Sequence, residues 1–443
     1  MDRRALLLVP VSLSLVLALV HCVGDDPAPG GGGGVDASVG GDAGGGGGGD
    51  GGGSGSDGGG GGGDGGSDAG PKDYPVQISA EVDDDANLST VCATLGDGRI
   101  FCWGDGSGGK LGVDPGTLPT GYSATAVALP GVANAKKVTI GFNHGCYLDD
   151  GGSVRCWGSN DRGQIGNPAA SIIQTTPLVV NLPAKAVDVA TGLKMSCAIL
   201  SDGSLYCWGA NYSGRFGVPS DGGIIQTPVM VDSPTKYQSA ALDDYAVCAV
   251  VGGGSIVRCW GENGQQLLGR NVADGGPLTP GVVQSPGLNV SSISAGAAHV
   301  VTSATGGGVR GWGANLSGQL GTLASPVAVG TVVPGFDTAS AVAGVANTCA
   351  LFPNGTVKCV GSQAIYAETP TVGGDKTPRL IGGIADATQL AVGDGFGCAL
   401  RKGGGGGAGT KPSVACWGKN NHGQLGDGST TNAAAAVQVK GLP

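Results

Sequence analysis

Thirteen cysteines are the residues best suited to chemistry in this chain, and twelve of them form six spaced pairs. Most pairs bracket a short turn symmetrically, as Cys92 and Cys102 bracket Asp97. Residues placed in this way face each other across two antiparallel strands, within reach of a disulfide. We therefore predict six disulfides, each within one repeat: Cys92 with Cys102, Cys146 with Cys156, Cys197 with Cys207, Cys248 with Cys259, Cys349 with Cys359, and Cys398 with Cys416.

The exceptions in the pattern favour this pairing. Val301 and Gly311 stand at both cysteine positions of the fifth repeat, so the two cysteines are absent together. A Gly-rich insertion lengthens the turn between Cys398 and Cys416, yet both cysteines remain. Zinc sites usually show closely spaced Cys-x2-4-Cys knuckles and nearby histidines, and the sequence has neither pattern. The remaining alternative is twelve reduced, buried thiols.

The four histidines suggest no catalytic site. His144 and His299 occupy the same repeat position, which indicates a structural role, while His422 lies in a turn and His21 in the N-terminal segment. The sequence shows no nucleophile elbow, P-loop or dinucleotide fingerprint. We expect no catalytic, cofactor-binding or metal-binding residues.

A Trp-Gly dipeptide marks the repeat that positions the cysteines. Two short apolar runs flank a turn in each repeat, which predicts a β-hairpin, and two further runs give four candidate strands. In the third repeat these are Val187–Ala190, Ser196–Leu200, Leu205–Trp208 and Thr227–Val231. A period of about 50 residues with four strands suits a propeller blade. The dipeptide occurs at Trp103, Trp157, Trp208, Trp260, Trp312 and Trp417, and Val360-Gly361 stands in the sixth repeat where a seventh Trp-Gly would be expected.

The sequence therefore predicts an all-β, seven-bladed β-propeller with four-stranded blades over residues 74–443. The chain ends in a strand-like segment, Ala436–Leu442, and the repeat region begins with another, Tyr74–Ser79. We predict that the N- and C-terminal strands pair in one blade and close the ring, since this pairing would remove an exposed edge.

Residues 1–24 have the pattern of an export signal. Arg3 and Arg4 precede an apolar run, and Leu19-Val20-His21-Cys22 resembles a bacterial lipobox whose cysteine is lipidated. Ordinary cleavage after Gly24 is the alternative. Residues 25–73 are almost entirely Gly, Asp, Ser and Ala, so we expect a disordered tether, because such a segment cannot bury enough apolar surface to fold.

Charge argues against a nucleic-acid partner. The chain carries a formal net charge of −10, but within residues 74–443, 24 acidic residues against 21 basic ones leave only about −3. Binding to a phosphate backbone requires a basic face. We expect membrane contact only through the N-terminal anchor.

The repeat resembles that of the regulator of chromosome condensation (RCC1) family, whose motif is Trp-Gly-x-Asn-x-x-Gly-Gln-Leu-Gly. Trp417–Gly426, Trp157–Gly166 and Trp312–Gly321 match this motif closely, whereas Ser362–Tyr366 of the sixth repeat has lost it. The resemblance implies a seven-bladed propeller. The eukaryotic founder exchanges guanine nucleotide on a small GTPase and docks on chromatin; an exported, near-neutral domain has no access to either. Bacterial relatives resemble secreted binding proteins, including an inhibitor that grips an enzyme with one propeller face.

We therefore expect a monomeric, non-enzymatic module that binds a protein or glycan through one face, on the outer membrane or cell surface as a lipoprotein, or alternatively periplasmic or secreted. The alternatives are a propeller hydrolase or lyase with a site in the channel, and a purely structural envelope protein. The expected face comprises variable segments after the motif, in which Tyr122 and Tyr366 are the aromatic candidates: Asp114–Thr125, Asn167–Thr176, Val218–Thr227, Arg270–Thr279 and Gly361–Pro378.

Overall fold

Short apolar runs separated by Gly-rich and Asp-Gly turns fold into seven antiparallel sheets of four strands each. Every sheet is one contiguous piece of chain, with its strands hydrogen-bonded in sequence order. The predicted all-β propeller of seven four-stranded blades is thereby confirmed. We number the blades 1 to 7 in chain order and the strands within a blade first to fourth.

The computed structural model describes residues 72–82, 88–218, 223–243, 245–270, 279–284, 289–370, 373–403 and 411–443. The predicted signal segment, Cys22 and the predicted tether up to residue 71 lie outside these ranges. None of the helices in them is long and apolar enough to cross a membrane.

Blades 1 to 3 have strands of six to eight residues. Blade 1 contains Pro75–Ala80, Thr90–Leu95, Ile100–Asp105 and Tyr122–Ala128. Blade 2 contains Ala135–Ile140, His144–Asp149, Val154–Ser159 and Ile173–Val179. Blade 3 contains Ala186–Thr191, Met195–Leu200, Leu205–Ala210 and Ile224–Val231, which extends each of the four strands predicted for the third repeat.

Blades 4 to 7 repeat this arrangement with some shorter strands. Blade 4 contains Tyr237–Leu242, Ala246–Val251, Val257–Gly261 and Gly281–Val282, and blade 5 contains Val290–Ala295, His299–Ala304, Val309–Gly313 and Val327–Val332. Blade 6 contains Ser340–Ala343, Asn347–Leu351, Val357–Gly361 and Asp375–Leu380, and blade 7 contains Ala387–Val392, Phe396–Arg401, Ser413–Gly418 and Ala433–Gln438. Short 3-10 turns lie at Ser107–Gly109, Pro115–Thr117, Tyr212–Gly214 and Gln363–Tyr366.

The first strands surround the propeller axis. Each contacts the first strands of both neighbouring blades, and the first strand of blade 7 contacts that of blade 1. Glutamine side chains link these strands across the blade boundaries. Gln77 donates to the Val138 carbonyl at 3.0 Å and accepts from the Val138 N–H at 2.9 Å, and Gln389 accepts from the Ile78 N–H at 3.0 Å. The inner ring is therefore closed by contacts between all seven blades.

The predicted pairing of the N- and C-terminal strands in one blade is wrong. Pro75–Ala80 pairs with Thr90–Leu95 inside blade 1, and Ala433–Gln438 pairs with Ser413–Gly418 inside blade 7. Each terminal strand finds its partner in its own contiguous repeat, so neither needs the other to complete a sheet.

Blades 7 and 1 instead join face to face. Trp103 and Ile78 of blade 1 share one apolar cluster with Phe396 and Leu425 of blade 7. Beyond the last strand the chain reaches the edge of blade 1, where the Ala126 N–H donates to the Lys440 carbonyl at 2.9 Å. Apolar packing therefore closes the ring, with the C-terminal segment covering part of the outer edge of blade 1.

The glycine of each Trp-Gly dipeptide is required by the backbone. The φ of this glycine, and of Gly361 after Val360 in blade 6, is positive and between 96° and 117°, a region that residues with a Cβ rarely adopt. A Cβ at Gly104 would lie 2.3 Å from the Ser89 carbonyl oxygen, and one at Gly313 would lie 2.6 Å from that of Ala298. The glycine lets the third strand pass close to the second, and in most blades the pairing with the fourth strand shifts register beside it.

The six cysteine pairs lie directly opposite each other in the second and third strands, with Cα atoms 4.0–4.2 Å apart and the sulfurs joined as disulfides. All twelve cysteines are buried. Each disulfide shares an apolar cluster with the tryptophan of the following blade, as Cys146 and Cys156 of blade 2 do with Trp208 of blade 3. We call the packed boundary between two consecutive blades a seam. The same arrangement of disulfide and tryptophan is found at the five other seams whose first blade contains a disulfide.

Blade 5 has no disulfide, and the blade after it has no tryptophan. Val301 stands in place of the first cysteine and shares a cluster with Val360, which stands in place of the tryptophan of blade 6. A Cβ at Gly311 would lie 2.4 Å from Leu320 Cδ2, so the leucine occupies space beside the missing cysteine. Phe336 adds a further buried ring to the same cluster. Disulfide and tryptophan are therefore lost together at one seam.

A hydrogen bond to the preceding blade fixes most of the tryptophans. Their indole N–H groups donate to a carbonyl in the Trp-Gly-x-Asn loop of that blade: Trp157 to Lys110 at 2.8 Å, Trp208 to Gln164 at 2.9 Å, Trp312 to Leu267 at 2.7 Å and Trp103 to Gln424 at 3.0 Å. The indole N–H groups of Trp260 and Trp417 have no hydrogen-bond partner among the described residues.

Gln266 allows a direct test of the backbone argument. It occupies the left-handed position of the blade 4 loop with φ of 61°, where other blades have Gly163, Gly318 or Gly423. We expect Gln266→Gly to raise the free energy of unfolding by about 1 kcal/mol, the typical cost of this conformation for an L-residue. Denaturant unfolding measures the effect. Gln265→Gly, next to it but with no positive φ, should not stabilise; equal gains from both would contradict the argument.

Candidate binding face

Two kinds of loop lie at the same end of every blade. The inner loop joins the first strand to the second, and the motif loop, which carries the Trp-Gly-x-Asn sequence, joins the third strand to the fourth. Antiparallel order places the tight hairpin turns between second and third strands at the opposite end. We call the end with the inner and motif loops the loop face.

Motif residues hold the loop face in shape. The motif asparagine accepts a hydrogen bond from the backbone N–H five residues later, as Asn160 does from Ile165 at 3.1 Å and Asn420 from Leu425 at 2.9 Å. The residues between these fixed points are freer to differ from blade to blade. The loop face is therefore a rigid platform with variable side chains.

Tyr122, one of the two aromatic candidates from the sequence, is half-buried at the start of the fourth strand of blade 1. Its ring packs edge-on against His422 of blade 7, with centroids 5.9 Å apart. Of the predicted variable segments, residues 219–222, 271–278, 371 and 372 lie outside the described residues.

Tyr366, the second candidate, is not at the surface, and its predicted contact role is wrong. It is only 4% exposed and packs in a cluster with Ile365 and Trp417. Its hydroxyl donates to the Cys359 carbonyl at 2.5 Å, and the Arg379 guanidinium lies 4.0 Å from the ring centroid. Burial raises the pKa of this phenol. Because blade 6 lacks the motif, the 3-10 turn Gln363–Tyr366 replaces its loop and turns the ring inward.

The structure assembles a different aromatic surface from four blades. We call Arg162, Tyr212, Arg215, Tyr245 and Leu316 the aromatic patch. Two guanidinium groups lie near its first ring, with Arg162 and Arg215 5.9 Å and 5.8 Å from the Tyr212 centroid. Arg215 also lies 5.5 Å from the Tyr245 centroid. Tyr212, Tyr245 and Leu316 are 36%, 39% and 72% exposed, so the patch presents apolar surface on anchored side chains.

Two carboxyl groups, those of Glu262 and Asp243, lie near the buried guanidinium of Arg215 in this patch. Arg215 donates to Glu262 at 3.1 Å. Asp243, which is 3% exposed, accepts from the Tyr245 and Ala246 N–H groups at 2.7 Å and 2.5 Å. Burial raises the pKa of Asp243 to about 7, with the backbone hydrogen bonds and Arg215 opposing the shift. Asp243 therefore keeps its proton to a much higher pH than an exposed carboxyl group does.

Blade 1 uses similar residue types for a different purpose. Lys110 is fully buried, and its ammonium donates to Glu81 at 2.7 Å and lies 3.1 Å from Asp105. It also donates to the Phe142 carbonyl of blade 2 at 2.7 Å. Opposite charges here pair with one another inside a buried seam.

The histidines expected to be structural are buried at blade seams. His144 Nε2 lies 2.8 Å from the Ser196 hydroxyl of the next blade, and His299 Nε2 lies 3.1 Å from that of Thr348. Burial lowers their pKa values to about 3 and about 4, so both are neutral at physiological pH. Among the described residues no three His, Cys, Asp or Glu side chains cluster in a way that could hold a metal ion.

The aromatic patch was not predicted, although its residues are visible in the sequence. Tyr212 and Leu316 stand at the same variable motif position, directly after Asn211 and Asn315. This position carries a polar residue in other blades, such as Asp161 in blade 2 and Asn421 in blade 7. The apolar side chains of Tyr212 and Leu316 were therefore the sequence signal for an unusual surface. Tyr245 gave none, because only the fold brings the inner loop of blade 4 beside Arg215.

Comparison with known families and structures agrees with this architecture. The model of the regulator of chromosome condensation (RCC1) repeat matches residues 135–164 and 186–215. Each matched segment runs from a first strand to a motif loop. The chain is also 21% identical to yeast RCC1 (Prp20) in the crystal structure with Kap60, with a TM-score of 0.65 over 78% of this chain and 84% of that chain. That likeness shows the same fold.

Curated relatives include much larger proteins. The chain is 25% identical over 356 residues to the human E3 ubiquitin-protein ligase HERC2, covering 78% of this chain but 6% of that protein. It is 28% identical over 238 residues to the mitochondrial RCC1 domain-containing protein RUG3 of Arabidopsis thaliana, covering 51% of this chain and 52% of that protein. The chain thus spans a small part of the first relative and about half of the second.

The raised pKa of Asp243 predicts a specific pH dependence of stability. Between pH 5 and 7 the folded state retains a proton on Asp243 that the unfolded state has released, so this group's stabilising contribution falls as pH rises and is lost by about pH 7. Asp243→Asn should therefore gain on the wild type by up to about 1.4 kcal/mol per pH unit over this range, measured by denaturant unfolding.

Asp202→Asn is the control for this measurement. The ion pair with Lys236 lowers the pKa of Asp202, so that carboxyl is ionised in both states above pH 5, and its variant should differ from the wild type by a constant amount. Comparison with the wild type also removes the opposite contribution of the two buried histidines. Parallel stability curves for Asp243→Asn and wild type would contradict the assignment.

Proposed function

We propose, from the premise that the chain belongs to the regulator of chromosome condensation (RCC1) repeat family, that it is a non-catalytic module that binds a protein or glycan outside the cytoplasm. The aromatic patch carries the proposal. It joins exposed Tyr212, Tyr245 and Leu316 into one surface and fixes the two rings through Arg215. Aromatic and arginine side chains contribute most at the centres of protein interfaces.

Preorganisation strengthens this argument. A surface tyrosine normally loses side-chain freedom when a partner binds. The Tyr212 ring already contacts both Arg162 and Arg215, and its motif loop is held by the Asn211 side chain, which accepts from the Phe216 N–H at 2.7 Å. Little ordering is left for binding to impose, and that favours tight association.

The related propeller in yeast RCC1 (Prp20) has been crystallised with the protein Kap60. A protein partner for this propeller is consistent with that precedent. We do not extend guanine-nucleotide exchange or ubiquitin ligation to this chain, which spans only 6% of HERC2.

Export and lipid anchoring complete the proposal. Six disulfides suit an oxidising compartment, and residues 1–24 have the pattern of an export signal ending near Cys22. A Gly-rich tether of about 50 residues would have a typical end-to-end distance of about 40 Å, enough to hold the propeller clear of lipid head groups. Mass spectrometry of the mature N-terminus tests this part, since an unmodified N-terminus at Asp25 would replace the lipoprotein with a cleaved, secreted form.

A quantitative pull-down with the oxidised protein tests the binding function. Envelope and secreted fractions of the source cell provide the partners, and mass spectrometry identifies captured proteins and glycans. We expect one saturable partner whose affinity falls about 30-fold in Tyr212→Ala, as for a hot-spot residue of about 2 kcal/mol, and falls similarly in Leu316→Ser.

Ile256→Ser is the matched control. Ile256 is 42% exposed and lies in a hairpin turn at the opposite end of blade 4, so its loss removes a similar apolar side chain without touching the loop face. Equal losses for Ile256→Ser and Leu316→Ser would show that the aromatic patch is not the binding face. Failure to capture any partner in every fraction would count against the binding function itself.

A further inference from the structure

At each of three consecutive seams, one inner-loop side chain fills the gap to the preceding motif loop. This side chain belongs to the residue immediately before the second strand. Asn143 lies 3.4 Å from the Ser107 hydroxyl of blade 1, and the Lys194 ammonium lies 3.5 Å from Asp161 of blade 2. In blade 4 the corresponding residue is Tyr245, whose ring lies beneath Arg215 of blade 3.

The seam between blades 4 and 5 lacks such a side chain. Its inner-loop residue is Ala298, whose carbonyl accepts the Ala314 N–H as that of Lys194 accepts the Ala210 N–H, so the backbone positions are equivalent. An open cleft of about 350 Å³ lies here on the loop face. Its walls come from both blades, with Tyr245, Glu262 and Leu267 on blade 4 and Ala298 and Leu316 on blade 5.

The cleft combines apolar walls with a carboxylate. Tyr245, Leu267 and Leu316 supply the apolar surface, and Glu262, whose side chain is 38% exposed, supplies the charge. Arg215 pairs with one oxygen of Glu262, and the Glu262 side chain remains partly exposed where it lines the cleft. A partly exposed carboxylate beside apolar walls suits a long side chain that ends in a cation.

We infer that this cleft, as part of the proposed partner-binding face, receives a lysine side chain from a protein partner. Lys194 shows within this same fold that a lysine fits such a seam and pairs with an acid of the preceding blade. The methylene stem would lie between Tyr245 and Leu316, with its ammonium near Glu262 and the tyrosine ring. Residues 25–71 of the predicted tether contain no lysine or arginine, so this stretch cannot supply the cation.

Capped amino acids test the chemistry of the cleft on the full oxidised protein. The probes are Nα-acetyl-lysine N-methylamide, its Nε-acetylated form and the norleucine analogue, titrated by NMR. We expect the lysine probe to bind about three- to tenfold tighter than either neutral probe, the range for an exposed ion pair with a cation–π contact. Glu262→Gln should abolish this preference. Norleucine binding as tightly as lysine, or no binding by lysine, would overturn the inference.

Ala298→Lys provides a second, internal test. It places in the cleft the side chain that blade 3 already has, so it should block all three probes, whereas Ala298→Ser should bind them as the wild type does. A crystal structure of Ala298→Lys should show its ammonium within 4 Å of Glu262. Probes that still bind Ala298→Lys at wild-type strength would show that they bind elsewhere and overturn the inference.

The same variants separate this inference from the proposed function. A captured partner should bind Ala298→Lys at least tenfold more weakly than Ala298→Ser. A partner that tolerates Ala298→Lys but is lost with Tyr212→Ala would overturn the lysine inference while the aromatic patch stands as the binding face. If the lysine probe binds preferentially but the pull-down captures no partner, the proposed binding function would be contradicted, whereas the specificity of the cleft for lysine would stand.

Discussion

The contact between a disulfide and the tryptophan of the next blade is the interaction on which this propeller depends. A blade of four short strands buries too little by itself, so its free face must be covered by its neighbour. At six seams the face of the blade is covered in the same way, by packing a buried disulfide against a buried indole. The seventh seam lacks both partners and packs Val301 against Val360 with Phe336 instead. The matched loss indicates that the two features form one unit, shared between repeats rather than contained in either.

This unit also sets the geometry of the loop face. At four of these six seams the indole that packs on the disulfide also donates its N–H to the motif loop of the preceding blade, so core and loop are fixed together there. The Trp-Gly glycine then brings the third strand against the inner loop, which places Tyr245 of blade 4 beside Arg215 of blade 3. A well-packed seam thus supports the loop face, on which several differences between blades are side chains at a few motif-loop and inner-loop positions. The aromatic patch and the cleft beside it are two such differences.

Local sequence patterns predicted the features that depend on residues close in sequence, namely the strands and hairpins within each blade. Cysteines spaced evenly about a turn indicated strand pairing, and the repeat gave the number of blades. Contacts between blades were beyond those patterns, which explains the wrong pairing of the terminal strands and the wrong exposure of Tyr366. The tyrosine follows a degenerate motif, and only the fold shows that the altered turn faces the core. One interblade contact was visible in the sequence: Val301 and Gly311 replace both cysteines in the repeat directly before the one in which Val360 replaces the tryptophan.

A double-mutant cycle at one intact seam tests this account most directly. Cys146→Val with Cys156→Gly and, separately, Trp208→Val transplant the residues of the exceptional seam into blades 2 and 3. Free energies of unfolding would be measured for the wild type, the cysteine variant, the tryptophan variant and their combination. If disulfide and indole form one unit, the combined variant loses less than the sum of the two separate losses, with a coupling of about 1 kcal/mol or more. Losses that add to within about 0.5 kcal/mol would show that the two are independent and would contradict the account.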